Sequence, residues 1–139
     1  LNLLYREEER EMIPFCEDQK IAITPYSPLA SGRLTRDWTG DTKRSLTDQT
    51  SKMKYDQTMD QDRVIVERVA QVAEELDVKR AQVALAWLMQ KEVVTVPIIG
   101  ATKESHLLDA LPAIDVTLTP EQVAFLEEPY LPHQVVGAR

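Results

Sequence analysis

The sequence predicts an α/β fold with parallel strands, and three observations carry that expectation. Short apolar runs alternate with helical patterns along the chain. The run Val93-Val94-Thr95-Val96-Pro97-Ile98-Ile99 is rich in β-branched residues throughout, as in a strand covered on both faces. Between the runs, Ile65, Val69, Val72, Ala73 and Leu76 recur at the spacing of one helical face. Only three strands are visible in 139 residues, however, which would leave two apolar edges open. The chain is therefore expected to be part of a larger sheet or barrel.

Taken in order, Leu1 to Tyr5 reads as a short strand. Arg6 to Gln19 follows as a Glu-rich helix whose first turn holds Glu7, Glu8 and Glu9, where the helix dipole favours negative charge. Met12, Ile13, Phe15 and Cys16 form its apolar side. Ile21 to Tyr26 reads as the second strand, ending in the turn Ser27-Pro28-Leu29. Residues 30 to about 61 are polar and aperiodic, far longer than an ordinary connection, and are expected to be a functional or a disordered loop. The helix bearing Ile65 to Leu76 comes next. Ala81 to Met89 is almost continuously apolar and predicts a helix buried on most sides. After the third strand, Gly100-Ala101 turns the chain into a helix from Thr102 to about Leu111. Thr119-Pro120-Glu121-Gln122 is a capping box with proline at the first helical position, opening a helix through about Glu127. The tail from Pro129 to Arg139 has no periodicity.

Composition excludes several classes of function. A hydrophobic share of 43% is too high for a disordered chain. The net charge of −7 argues against a nucleic-acid partner. No stretch approaches the ~18 apolar residues of a membrane span. Cys16 alone forms no internal disulfide, and 2 histidines make no zinc set. With 4 glycines and no GxGxxG or GxxxxGK[ST], a glycine-rich nucleotide loop is not expected. The charged start predicts no secretory leader and a cytoplasmic location. The first residue is Leu1 rather than Met, so a fragment is expected.

Ligands of parallel α/β folds bind at the carboxyl ends of strands. Two such places exist, Tyr26-Ser27-Pro28-Leu29 and Gly100-Ala101-Thr102-Lys103. In the second, Thr102 at a helix N-cap and Lys103 in the first turn would hold a phosphate, or would simply start a helix. Tyr26 offers a stacking face or caps the core. His106 reaches a ligand or fills a half-buried slot. Trp38, alone in its polar stretch, anchors the loop or belongs to a lid. The paired glutamates read as solvated helix faces rather than acid–base pairs, and spacing suggests no partner for His133.

Several of these motifs, in this order, resemble the aldo-keto reductase superfamily. They are Leu1-Asn2-Leu3-Leu4-Tyr5-Arg6-Glu7-Glu8, Thr24-Pro25-Tyr26-Ser27-Pro28-Leu29-Ala30-Ser31-Gly32, Val96-Pro97-Ile98-Ile99-Gly100-Ala101-Thr102-Lys103 and Leu126-Glu127-Glu128-Pro129-Tyr130-Leu131-Pro132-His133. The last of them also resembles the carboxyl end of bacterial members, in the branch akin to potassium-channel β-subunits. The resemblance implies the carboxyl-terminal portion, about strands six to eight with their helices, of a (β/α)8 TIM barrel. It also implies NADPH lying across the barrel mouth. Tyr26 would then stack on the nicotinamide, and Ser27, Pro28, Leu29, Ser31 and Gly32 would line the pyrophosphate, with Arg33 or Arg36 on a phosphate. Gly100 would turn the chain into Thr102 and Lys103, which would meet the 2′-phosphate. His106 and Asp109 would flank the adenine, although many relatives have Gln at the position of His106 and Asn at that of Ala110. The residues from 30 to 61 would fold over the dinucleotide.

The family's Asp, Tyr, Lys and His for carbonyl reduction belong to the other part of the barrel. Tyr5, Tyr55 and Tyr130 match none of its motifs. The expectation is thus the cofactor-binding portion of an NADPH-dependent reductase of carbonyl compounds, inactive as this chain. The alternatives are a non-catalytic nucleotide-binding or regulatory module, or a truncated remnant.

Overall fold

The computed structural model describes residues 1–39 and 47–135. Among them the helices are α1 (Met12–Asp18), α2 (Gln49–Tyr55), α3 (Met59–Glu75), α4 (Arg80–Met89), α5 (Glu104–Ala110) and α6 (Pro120–Glu127). Tighter 3-10 turns occupy Glu7–Glu9, Ala30–Thr35, Asp56–Thr58 and Leu111–Asp115.

The apolar stripe read from the sequence is the face that α3 buries, through Ile65, Val66, Val69, Val72 and Ala73. This helix stops in a Schellman motif. Asp77 turns left-handed at φ 51, and Val78 N–H reaches back to the Ala73 carbonyl at 2.9 Å. The same device ends α1, with Lys20 at φ 56 and Ile21 N–H bonded to the Cys16 carbonyl at 2.8 Å. Helix α4 is the hub, packed against α3, α5, the Leu111–Asp115 turn and the Ala30–Thr35 turn. Every residue from Gln82 to Leu88 is buried, as its continuous apolar run requires. The capping box at α6 is present in both directions. Thr119 Oγ1 accepts from Gln122 N–H at 3.2 Å, and Gln122 Oε1 accepts from Thr119 N–H at 3.0 Å.

The strands depart from expectation. Among the described residues there is no continuous strand, only isolated bridges. Ile23 pairs with Val94 and Tyr26 with Ile98, both parallel. Thr95 N–H bonds the Ile23 carbonyl at 2.9 Å and Ile98 N–H the Pro25 carbonyl at 2.8 Å. The two runs therefore lie side by side in the expected direction. Pro25 and Pro97 have no N–H to give, which interrupts the ladder between the bridges. Nor is the 93–99 run covered on both faces, because Val96 and Ile98 are 52% and 53% exposed.

Leu1 to Tyr5 is a tight turn rather than a strand. Asn2 and Tyr5 exchange backbone bonds at 3.0 Å, and Leu4 N–H donates to Asn2 Oδ1 at 2.9 Å. A side chain that satisfies the backbone two residues on holds such a turn, and it overrides the apolar pattern. The expected helix from Arg6 to Gln19 is split into the Glu7–Glu9 turn and α1.

The polar stretch from 30 to 61 is not one loop. Its described residues form the Ala30–Thr35 turn, α2, the Asp56–Thr58 turn and the start of α3, while residues 40–46 lie outside the described residues. Residues 136–139 of the tail also lie outside them. No helix among the described residues is long and apolar enough to cross a membrane, and no cluster of metal-ligating side chains occurs there.

Candidate cofactor groove

The bridged pair brings both strand ends, Tyr26 and Ile98, together, and Leu29 and Ile99 just beyond them pack on the cluster of Leu85, Ala110 and Ala113. A groove of about 1160 Å³ opens there. Its walls are the 26–35 segment, the Glu74–Ala81 corner between α3 and α4, and residues from Ile98 to Ala110. Of the residues expected at a ligand, it is lined by Tyr26, Ser27, Pro28, Leu29, Ser31, Gly32, Gly100, His106 and Asp109. Tyr26 leaves 58% of its surface exposed, so it does not cap the core.

The 27–32 segment has an unusual backbone. Ser27, Ala30, Ser31 and Gly32 all take left-handed conformations, at φ 57, 48, 57 and 88. For non-glycine residues this costs of order 1–3 kcal/mol each, and such strain gathers at ligand clamps. Two of its amides are turned inward, Ala30 N–H onto the Ser27 carbonyl at 3.0 Å and Gly32 N–H onto the Leu29 carbonyl at 2.9 Å. The loop is held from below by Asn2, whose Nδ2 donates to the Ser27 carbonyl and to the Tyr55 hydroxyl, each at 3.0 Å.

Other expected residues stand elsewhere. Arg33 is buried and turned inward. It pairs with Asp56, donates to Ser51 Oγ at 3.4 Å and lies 5.4 Å from the ring centres of both Trp38 and Tyr55. Neither Arg33 nor Arg36 lines the groove. Thr102 is not an N-cap, because α5 begins at Glu104 and its N-cap is Lys103, without a side-chain bond. Both Thr102 and Lys103 are exposed, between the lining residues Ala101 and His106. Gly100 has no left-handed backbone, and a Cβ there would meet nothing within 4 Å, so the turn does not require glycine. Trp38 is an anchor, its Nε1 donating to the Arg33 carbonyl at 2.9 Å while its ring packs on the core.

The groove also contains charges that the sequence reading missed. Lys79 pairs with Asp109, and Arg80 pairs with Asp37 at 2.6 Å. The hydrogen bond and charge of Arg80 hold the Asp37 carboxyl below its ordinary pKa. Lys54 hydrogen-bonds the Tyr26 hydroxyl, its ammonium 4.4 Å from the ring centre. Contacts of this kind contribute about 0.5–1 kcal/mol at exposed sites. No apolar stripe marks α2 in the sequence, so nothing local points to Lys54.

The remaining tyrosines are structural. Burial pushes the Tyr55 hydroxyl up to about 12. Burial likewise raises Tyr130, whose hydroxyl donates to Glu7 at 2.8 Å and accepts Arg6 N–H at 2.9 Å. His133, left without a partner by the sequence reading, is buried. Its Nε2 sits 3.0 Å from Asp62 Oδ1, and its ring stacks on Tyr130.

Comparison with known proteins places these features. The profile of the Aldo/keto reductase family matches residues 1–130. The chain belongs to that family. It is 38% identical to versiconal hemiacetal acetate reductase of Aspergillus parasiticus, over 96% of this chain and 39% of that protein. It is 42% identical to a putative aryl-alcohol dehydrogenase of Schizosaccharomyces pombe, over 98% of this chain and 38% of that protein. An aryl-alcohol dehydrogenase [NADP(+)] of Phanerodontia chrysosporium is 33% identical, over 91% of this chain and 34% of that protein. The chain thus spans well under half the length of these relatives.

Proposed function

We propose that this chain is the cofactor-holding portion of an NADPH-dependent aldo-keto reductase, supplying about strands six to eight of its (β/α)8 barrel. One observation carries the reading. A single groove gathers Tyr26 and the left-handed Ser27–Gly32 segment with His106 and Asp109, about eighty residues later in the chain.

The residues fit an extended dinucleotide. The exposed Tyr26 ring offers a plane for the nicotinamide. The 27–32 segment would line the pyrophosphate, with the Ser27 and Ser31 hydroxyls as donors to it. Thr102 and Lys103 would meet the 2′-phosphate, with the lysine as a point charge. His106 and Asp109 would flank the adenine. NADPH supplies the hydride that converts an aldehyde or ketone to an alcohol. The chain's own contribution to rate is orientation, with the cofactor held so that its reactive face meets the carbonyl.

Tyr26 lines the groove, whereas Tyr5, Tyr55 and Tyr130 are not among its lining residues. Tyr55 and Tyr130, with raised pKa values and bonded hydroxyls, are poor proton donors to a substrate. The proton donor, and with it turnover, belongs to residues outside this chain. The names of the relatives make an aryl aldehyde the first carbonyl compound to try.

The test is titration of the 139-residue chain with NADPH and NADH, followed by tryptophan fluorescence, beside an assay with an aryl aldehyde. NADPH binding without reduction is expected. Lys103→Ala should weaken NADPH by about tenfold, the scale of one charge-assisted hydrogen bond, and NADH by much less. Equal weakening would remove Lys103 from the 2′-phosphate. Reduction by the chain alone would show that a proton donor has been overlooked.

A further inference from the structure

We propose that Lys54 is the groove's anion-receiving cation, moving from the Tyr26 hydroxyl to the phosphoryl group on the nicotinamide side of the bound dinucleotide. The proposal rests on the reading above and adds a residue that the family motifs in this sequence do not include.

Among the described residues, the cations Lys54, Lys79 and Arg80 that line the groove are not equivalent. Lys79 is held by Asp109 and Arg80 by Asp37. Lys54 lines the same groove, and its recorded partners among the described residues are neutral. They are the Tyr26 hydroxyl and the rings of Tyr26 and Tyr5, at 4.4 and 5.8 Å from its ammonium. A neutral hydroxyl and a ring face bind an ammonium less strongly than a phosphoryl oxygen does, so the exchange runs toward the ligand. Taking Lys79 or Arg80 would instead break an existing ion pair.

Position selects the part of the ligand. Lys54 stands at the phenol end of Tyr26, which carries the nicotinamide in the reading above, and Ser27, directly after Tyr26 in the chain, lines the same groove with Ser31 and Gly32. The nearest charged part of an extended dinucleotide is then its pyrophosphate, on the nicotinamide side. The adenine end lies toward His106 and Asp109. Lysine suits this task because its charge sits on a flexible stem and can exchange partners. It sits in the last turn of α2, and the buried Ser51 and Tyr55 of that helix fix its backbone.

The experiment compares wild type, Lys54→Met and Lys54→Arg, each titrated with NADPH and with 2′,5′-ADP, which lacks the nicotinamide-side phosphate. Circular dichroism of each variant establishes that the fold is kept. Lys54→Met should weaken NADPH about tenfold and flatten the salt dependence of its binding, while 2′,5′-ADP changes by less than about twofold. Lys54→Arg should retain most of the NADPH affinity. If Lys54→Met binds NADPH as wild type does, or loses both ligands equally, or if Lys54→Arg loses as much as Lys54→Met, the proposal fails while the cofactor reading stands. If wild type itself does not bind NADPH, both fall together.

Discussion

Replacing Asn2 by alanine tests whether the ligand loop is held from beneath. The Asn2 side chain is buried and makes bonds to three parts of the chain. Nδ2 donates to the Ser27 carbonyl and the Tyr55 hydroxyl at 3.0 Å, and Oδ1 accepts Leu4 N–H at 2.9 Å. The losses are unequal. The Ser27 carbonyl keeps a second donor, Ala30 N–H at 3.0 Å, so only a net bond of about 1 kcal/mol is lost there. The Leu4 amide and the Tyr55 hydroxyl sit in the core, where a group left without its partner costs about 1–3 kcal/mol. Together these give a destabilisation of about 3 kcal/mol or more, read as a lower urea midpoint at constant slope. Because Ser27 is left-handed and loses one of its anchors, NADPH affinity should fall as well under conditions where the variant is fully folded. A stability change below about 1 kcal/mol would refute the hydrogen-bond argument. Unchanged affinity in a folded variant would show that the loop is kept in place by its own turns.

Two further perturbations probe the frame. Thr119→Ala removes the oxygen that accepts Gln122 N–H at the start of α6, and should lower stability by about 1 kcal/mol in urea; no change would mean that Gln122 alone holds the helix start. Glu7 sets a pH dependence. Burial pushes its carboxyl up, but the Tyr130 hydroxyl, the His133 amide and Arg10 outweigh burial and hold it below the ordinary 4.5. A depressed carboxylate stabilises the fold fully above its unfolded pKa, and that stability is lost as pH falls through the folded value. Stability should therefore decline below about pH 4.5, and the decline should be shallower in Glu7→Gln, with unfolding midpoints at pH 3.5 to 7 as the measurement. Equal slopes in the two proteins would assign acid sensitivity to other carboxylates.

What could be read from the sequence follows from how far apart the interacting groups lie. The α3 stripe, the buried run of α4 and the α6 capping box are local patterns, and all three appear where the residues place them. Helix α2 was missed because only Ser51 and Tyr55 of its residues are buried, too few to make an apolar stripe. Its one local signal is Asp48, which caps the helix by accepting Ser51 N–H at 2.9 Å. The Leu1–Tyr5 run was misread because polarity at Asn2 looked like noise in an apolar strand, when its amide organises the turn. His133 meets Asp62 across 71 positions, a distance no spacing rule covers. In the site, Gly32 is a residue type that announces a left-handed backbone, whereas Ser27, Ala30 and Ser31 adopt it without any such signal.

The choice of cation in the groove follows from side-chain chemistry. The family resemblance puts Arg33 or Arg36 on a phosphate. The planar guanidinium suits enclosure, because it can lie against rings while its edge meets a carboxylate. Arg33 does both, against Trp38 and Tyr55 and with Asp56, and its side chain is only 10% exposed. Drawing it out to a phosphate would strand Asp56 and open the packing of Tyr55, the residue that Asn2 also bonds. Lys54, one position before Tyr55 on α2, has the opposite character. Its side chain is a flexible one, and its partners among the described residues are neutral groups. Arg33 therefore fastens the 30–35 turn to α2 and Trp38 behind the groove, while Lys54 lines the groove itself.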